Sequence, residues 1–262
     1  MGFTTLLASP NKIVSHSLQQ VAAATLADIL ERKAGNGELR IWLTTKGRAA
    51  LEELGESSQP ADPRLALREL AIAVKSAGSP DGYGARMVFA AGSPDADLML
   101  IGNAPSQDDT AAGAPFSGEV GKKLDGILKA MGLHRDQLYL TNIAKFRPLE
   151  SDDITADEVA AFRRTILSEI NAVKPRAIIA FGKTAVQALS NDEATLATHR
   201  GRDFAINGIP IVATDHPSQL IAYEADNADT ARHAKRAFWE DMLRAMELLD
   251  LTISAKQQGF FK

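Results

Sequence analysis

Four short apolar segments dominate the second part of the chain, and small or polar residues follow each of them. The segments are residues 98–101, 138–140, 177–181 and 209–213. Apolar runs of this length are typical of strands buried on both faces. Helical periodicity fills the intervals, near residues 120–131, 156–173, 183–190 and 229–249. The alternation predicts an α/β fold, a three-layer αβα sandwich around a mainly parallel four-stranded sheet.

The first third of the chain has a different pattern. Apolar positions at helical spacing predict helices over residues 17–33, 46–56 and 64–75, with a linker-like segment at 55–63. Residues 77–82, rich in Gly and Pro, end the last of these helices. We therefore expect a helical extension over residues 1–85, one domain over 86–250 and a tail over 251–262.

Composition and charge narrow the functional classes. The net charge of −4, from 29 basic and 33 acidic residues, excludes a uniformly basic nucleic-acid binder but not a local basic face. The sequence has no cysteine, which excludes disulfides, thiolate nucleophiles and cysteine-ligated metal centres. No apolar run reaches the roughly 18 residues of a membrane span, and the first residues lack the basic start of a signal peptide. We expect a cytoplasmic protein.

Candidate ligand-binding residues follow the predicted strands. In open parallel sheets, ligands bind beyond the carboxyl ends of the strands. The loop after residue 101, Asn142 and His216 occupy such positions, and Phe116 lies on a turn shortly after the first loop. Taken singly, each residue is better explained by structure: Phe116 as a core residue, Asn142 as a turn former and His216 as a loop histidine. Together they predict a cleft.

A second strand-end motif resembles a phosphate-binding loop only superficially. The Gly-Lys-Thr at residues 182–184 matches the end of that motif, but the glycine required five residues earlier is Ala177. We interpret these residues as the start of a helix, and this excludes a nucleoside triphosphatase site of that type.

The ordered motifs carry a family resemblance. They are G-x-A-P-x-x-x-D from residue 102, P-F-x-G from 115, T-N-x-x-K-x-R-P from 141, R-G at 200 and H-P-S at 216. In this order they resemble the uracil-DNA glycosylase superfamily, and within it family 4, over about residues 88–243. The resemblance implies hydrolysis of the N-glycosidic bond of uracil, or a related deaminated base, in DNA.

The resemblance also implies roles for individual residues. Phe116 would stack on the extruded base, with Gly102 and Ala104 beside it, and Asn142 would read its Watson–Crick edge. His216 would stabilise the departing anion, while Asn103 and Asp109 would hold water near the sugar. No metal is needed for this chemistry. The expected partners are DNA and a nucleobase, with no membrane, and the protein is expected to be a monomer. The candidate DNA-binding residues are Lys145, Arg147, Arg200, Ser218, Lys235 and Arg236.

Two departures from the family bear on cofactor and activity. Family 4 holds an iron–sulfur cluster with four cysteines; this chain has Phe146 and Phe162 at two of those positions and no cysteine over residues 68–86, where the others belong. We expect no cluster, with the two aromatic rings packing in its place. In the first loop Asn103 replaces an acid and Ser106 a glycine. Asn103 can orient a water molecule but cannot act as a base.

Three functional interpretations remain open at this point. One is a glycosylase acting on uracil or a related base in DNA. Another is a catalytically weak or inactive protein of the same fold that binds DNA or a modified nucleobase. The third is an unrelated α/β enzyme with a small metabolite at the same strand ends, which the ordered motifs disfavour.

Overall fold

A computed structural model describes residues 62–150, 154–190 and 196–260. The predicted helices over residues 17–33 and 46–56, and the predicted linker up to residue 61, lie outside these ranges. The described part of the chain contains no helix that is both long and apolar enough to cross a membrane.

The strands within the described residues are β1 (Ala90–Gly92), β2 (Leu98–Gly102), β3 (Leu138–Asn142), β4 (Ala177–Phe181), β5 (Ala205–Ile206) and β6 (Ile209–Thr214). They form one six-stranded sheet in the order β1-β3-β2-β4-β6-β5. Strands β2, β3, β4 and β6 are mutually parallel, while the short β1 and β5 add antiparallel edges on β3 and β6. The predicted parallel core is confirmed, but the two edge strands were not predicted because each is too short to show a pattern.

The helices confirm each element predicted after residue 62 and add several shorter ones. The helix Pro217–Asp226 was not predicted: it follows shortly after β6, and His216 is its N-cap. The helices are α1 (Pro63–Ala77), α2 (Gln107–Ala112), α3 (Gly118–Met131), α4 (Ala156–Val173), α5 (Gly182–Ser190), α6 (Leu196–His199), α7 (Pro217–Asp226), α8 (Ala228–Leu248) and α9 (Ala255–Gln258).

Alternating strand residues feed two separate cores. Leu98 and Leu100 of β2 face the layer formed by α3 and α8, whereas Met99 and Ile101 face the layer of α4 and α5. The chain passes from β2 to β3 on one side and then crosses to β4 on the other, so β2 lies centrally. This is the predicted three-layer sandwich, and its parallel strands bring the loops after residues 102, 142, 181 and 214 to one edge.

The structure places the start of the domain before residue 86. Leu67 of α1 is buried in the core shared with α4, and Tyr83 donates a 2.9 Å hydrogen bond to Glu158. The compact unit begins at Asp62. The expected boundary between residues 85 and 86 is therefore wrong, because it would separate α1 from the surface that α1 covers.

The C-terminal residues also belong to the domain. The indole Nε1 of Trp239 donates to the carbonyl of Gln257 (2.7 Å), and the Gln257 amide donates to the carbonyl of Ala130 on α3 (2.8 Å). Ile253 packs on the α3–α8 core. The expected tail from residue 251 is thus docked through residue 260.

Candidate active site

Gly102 and Asn142 form the floor of a cleft at the carboxyl edge of the sheet. They are register partners at the ends of β2 and β3. A Cβ on Gly102 would overlap the Asn142 Oδ1 atom and lie 2.8 Å from the Phe116 Cζ atom. The amide and the ring therefore close over the bare backbone of Gly102, and any larger residue there would displace them.

Phe116 and His216 provide stacked rings beside this floor. Their centroids lie 5.8 Å apart and their planes differ by 23°. Phe181, at the end of β4, meets Phe116 edge-on at 5.6 Å and His216 at 6.1 Å. Phe181 was missed in the sequence, although an aromatic residue at the end of a predicted strand was the available signal.

His216 has a defined tautomer and a low proton affinity. Its Nδ1 accepts from the Ser218 backbone N–H (3.3 Å) and lies 2.8 Å from the Ser218 hydroxyl oxygen. Burial lowers the pKa of His216 to about 4. The imidazole is therefore neutral at pH 7, and since Nδ1 is an acceptor, Nε2 carries the proton.

Asn142 carries a hydrogen-bond donor that the protein does not use. Its side chain is 2% exposed, and Nδ2 has no hydrogen-bond partner among the described residues. A buried polar group left unpaired costs about 1–3 kcal/mol. The amide next to the aromatic rings can recover that cost by binding a ligand acceptor.

Asp109 serves the backbone of the loops around the cleft. One carboxylate oxygen accepts from the Ser106 N–H (2.8 Å) and the other from the Ser117 N–H (2.6 Å). The first bond is half of a capping box that starts α2. The structure thus gives Asp109 a positioning contact, and the expected contact with water near a sugar stays a prediction.

Asn103 and Ala104, which follow Gly102 in the first loop, lie close to the end of β3. The carbonyl of Asn103, which is half-buried, accepts from the Ala144 N–H (3.0 Å). Ala104 packs against a small cluster formed by Tyr83, Ala144 and Phe146. The loop that follows Gly102 is therefore supported by the residues that follow Asn142.

Lys145 is buried, contrary to the expectation that it contacts DNA. Its side chain is 2% exposed and forms an ion pair with the fully buried Glu169. It also donates to the Thr141 hydroxyl (2.5 Å) and to the Asn142 carbonyl (2.7 Å). Burial lowers the pKa of Lys145, and the nearby carboxylate opposes that shift. An ammonium enclosed in this way cannot reach a phosphate, so the expectation that Lys145 binds DNA is wrong.

Arg200 also has partners inside the protein. Its guanidinium bonds Asp215 (2.8 Å) and Asp241 (2.7–2.8 Å). These contacts tie the loop before β5 to the end of β6, next to His216. Arg200 therefore supports the cleft wall, and its charge is balanced by two carboxylates. Ser218, another candidate for DNA contact, directs its hydroxyl toward His216.

Three DNA-binding candidates remain accessible. Lys235 is partly exposed but forms an ion pair with Glu224 (2.6 Å), which also binds Lys123. Arg236 is exposed and pairs with Glu240 one turn along α8. Arg147 is half-buried. Binding of DNA phosphates by Lys235, Arg236 and Arg147 stays a prediction.

Sequence comparison identifies the family to which this arrangement belongs. The family described as the uracil DNA glycosylase superfamily matches residues 89–243, which include every residue of the cleft described above. The chain belongs to this superfamily. The match confirms the resemblance that the ordered motifs carry.

Several curated relatives share the name type-4 uracil-DNA glycosylase. A type-4 uracil-DNA glycosylase of Archaeoglobus fulgidus is 28% identical over 138 residues, 50% of this chain and 69% of the relative. The type-4 uracil-DNA glycosylase of Thermotoga maritima is 26% identical over 165 residues, 62% of this chain and 83% of the relative. That of Sulfurisphaera tokodaii is 36% identical over 139 residues, 50% and 63% of the two chains.

The residues at the expected cluster position do not suit an iron–sulfur cluster. Such clusters are held by cysteine thiolates, and this sequence contains none. Phe146 is buried with Tyr83, and the half-buried Phe162 meets the Tyr83 ring edge-on at 5.6 Å. Within the described ranges, no group of three or more His, Asp or Glu residues could hold a metal ion. Packed aromatic rings offer no ligands at this position.

Proposed function

We propose that this protein hydrolyses the N-glycosidic bond of uracil, or a related deaminated base, in DNA. The observation that carries the proposal is the unpartnered amide nitrogen of Asn142 beside the stacked rings of Phe116 and His216. Planar ring surfaces and one amide with a donor and an acceptor match the requirements of a flipped pyrimidine.

Base recognition follows from the chemistry of the Asn142 amide. Uracil presents a carbonyl acceptor at O4 and an N–H donor at N3. The Asn142 Nδ2 would donate to O4 and Oδ1 would accept from N3. Cytosine has a donor where uracil has O4 and an acceptor at N3, so both contacts would become repulsive. An amide packed against Gly102 thus favours uracil over cytosine.

Bond cleavage would be assisted by His216. When the base leaves, negative charge develops on the pyrimidine ring and its oxygens. A neutral imidazole with the proton on Nε2 can donate a hydrogen bond to that charge. Because the imidazole is neutral, its burial does not carry the cost of desolvating a cation. One such preorganised donor contributes about 10²–10³ in rate.

We further propose that the protein acts without an iron–sulfur cluster. The absence of cysteine from the sequence and the packing of Phe146 and Phe162 support this proposal. The location in the cytoplasm and the monomeric state remain predictions.

A second candidate is a protein that binds DNA or a free nucleobase without cleaving it. The observation that favours it lies in the first loop: Asn103 replaces an acid, and both oxygens of Asp109 accept from backbone amides. Asn103 then offers no carboxylate to the sugar, whose transition state is positively charged, and the carboxylate of Asp109 is engaged by backbone N–H groups.

Single-turnover cleavage of a uracil-containing oligonucleotide separates the two candidates. We expect the parent to release uracil, and Asn142→Ala to slow release by about 10²–10⁴-fold. Asn171→Ala, at an exposed position on α4, is the matched control and should cleave like the parent. A parent that binds the oligonucleotide without cleaving it would establish the second candidate. If neither binding nor cleavage occurs, binding of free nucleobases is measured next, and both candidates are wrong if that is absent as well.

A further inference from the structure

We propose that Arg135 is a positioning residue that, together with Asp109, clamps the peptide group after Phe116 and so holds the Phe116 ring in its stacking position. This inference rests on the proposed function for its kinetic consequence, because Phe116 is the ring expected to contact the base. The clamp itself is a feature of the chain alone.

Arg135 lies in the turn before β3 and reaches back to the segment that carries Phe116. Its Nη2 donates to the Phe116 carbonyl (2.6 Å) and to the Gly121 carbonyl (3.1 Å). Its Nε forms an ion pair with Asp125, which fixes the plane of the guanidinium. One rigid group thus joins the Phe116 turn, helix α3 and the start of β3.

Asp109 holds the opposite side of the same peptide group. The Phe116 carbonyl and the Ser117 N–H belong to one planar unit. Arg135 binds the oxygen of that unit, and the Asp109 carboxylate binds its N–H at 2.6 Å. A peptide plane held at both ends by charged groups cannot rotate, and this fixes the backbone of Phe116 on its C-terminal side.

The backbone of Phe116 requires such a restraint. Its φ is 55°, in the left-handed region that a bulky L residue rarely adopts. A residue with this backbone conformation persists only where the surrounding structure enforces it, and such residues cluster where function needs a fixed geometry. Here the enforced backbone directs the ring toward Gly102 and His216.

Gly121 gives a second, independent indication that the approach is specific. A Cβ at this position would overlap the Phe116 carbonyl oxygen and lie 2.9 Å from the Arg135 Nη2 atom. Only a glycine allows the guanidinium, the Phe116 carbonyl and helix α3 to meet. None of the Arg135 hydrogen bonds or ion pairs within the described residues involves Asn142 or His216, so Arg135 acts on the cleft through Phe116.

The test compares Arg135→Gln with Arg176→Gln. Arg176 is the matched control because it also bonds a backbone carbonyl, that of Leu249, and a carboxylate, that of Asp250, but at the amino end of β4. The first readout is the NMR shift of the His216 ring protons, which the stacked Phe116 ring current displaces. His216→Asn assigns these signals. Arg135→Gln should move them toward the positions of an unstacked histidine, whereas Arg176→Gln should leave them unchanged.

The second readout is single-turnover kinetics on the uracil oligonucleotide. Arg135→Gln should lower kcat/KM by about 10-fold or more, within the range that loss of one base–aromatic stack produces. Arg135→Lys, which keeps the positive charge and one donor nitrogen, should recover part of the loss. In a Phe116→Ala background, Arg135→Gln should have no further effect beyond about twofold, because the ring that it positions is gone.

These outcomes decide the proposal separately from the function. An unchanged His216 shift in Arg135→Gln, or full additivity of the two substitutions, would overturn the clamp. If Arg135→Gln does not fold, Gly121→Ala, which crowds the Phe116 carbonyl and the Arg135 Nη2 atom, must move the His216 signals toward the positions of an unstacked histidine, or the clamp is rejected. A parent that cannot cleave uracil DNA refutes the proposed activity, and the NMR comparison still decides the clamp.

Discussion

The Phe116 ring lies within 23° of parallel to the His216 imidazole, with 5.8 Å between the centroids. The aromatic face removes water from one side of the histidine, and Phe181 covers an edge. The low proton affinity of His216 is therefore a property of the aromatic packing. A base entering the cleft would meet a neutral imidazole throughout the physiological pH range.

The first prediction concerns the acid limit of activity. Because burial lowers the pKa of His216 to about 4, the imidazole stays neutral well below the ordinary histidine value. We expect kcat/KM for uracil release to remain near its neutral-pH value at pH 5.5 and to fall as the pH approaches 4. The measurement is a single-turnover pH profile. A loss of activity centred near pH 6.5 would show that His216 titrates like an exposed histidine.

A linked prediction concerns stability. The unfolded chain binds a proton on His216 below about pH 6.5, whereas the folded protein binds it only near pH 4. The contribution of the neutral imidazole to stability is therefore complete above pH 6.5 and is lost as the pH falls toward 4. It amounts to at most about 3 kcal/mol. The measurement is the loss of unfolding free energy between pH 7 and pH 4.5, determined by urea unfolding for the parent and for His216→Asn. Because the other titrating groups are common to both proteins, the difference between the two losses gives the contribution of His216. Equal losses in the two proteins would contradict it.

A third prediction addresses the first loop. Under the proposed function, Asn103→Asp would place a carboxylate in the loop expected to face the sugar, where the transition state is positively charged. If this loop limits the rate, uracil release should accelerate at least about 10-fold, since a positioned carboxylate contributes up to 10²–10⁴. Asn171→Asp makes the same charge change on the exposed surface of α4 and should leave the rate unaltered. A rate for Asn103→Asp equal to or below that of the parent would show that Asn103 is already suited to its reaction.

A fourth prediction concerns the aromatic cluster of Tyr83, Phe146 and Phe162. Phe146→Ala should lower the free energy of unfolding by about 3–5 kcal/mol, because it opens a cavity among buried side chains. Leu149→Ala, at a site 58% exposed, should change it by less than about 0.5 kcal/mol. The purified parent should contain no stoichiometric iron. Iron at one cluster per chain, or a Phe146→Ala protein as stable as the parent, would reject the replacement.

A fifth prediction concerns DNA affinity. Glu224 on α7 binds both Lys123 and Lys235, and these contacts lower the pKa of Glu224. Glu224→Gln should release the two ammonium groups and tighten binding of an oligonucleotide. The slope of log affinity against log salt should steepen by about 0.9 for each lysine that gains a phosphate. Glu247→Gln, an exposed change of the same charge on α8, is the control. Equal affinities and slopes for both variants would place Glu224 away from the DNA path.

The sequence predicted the elements better than the contacts between them. Gly102, Asn142 and His216 were placed correctly at the carboxyl edge because strand ends can be read from apolar runs. The burial of Lys145 could not be read in this way, since its partner Glu169 lies one helix later in the chain. Arg135 showed no local signal at all: its significance depends on the backbone of Phe116, whose positive φ no periodicity reveals.

The buried pair of Lys145 and Glu169 has a consequence for how this domain can change over time. Removing one charge leaves the other unpaired in the interior, which typically costs about 3–5 kcal/mol. Exchanging both for apolar groups avoids that cost only if Tyr139 and Thr141, whose hydroxyls donate to Glu169, change as well. We therefore expect positions 145 and 169 to change together in related sequences. A variant that keeps only Lys145 would carry an unpaired charge directly against the Asn142 backbone, and the loss of stability would act on the floor of the cleft.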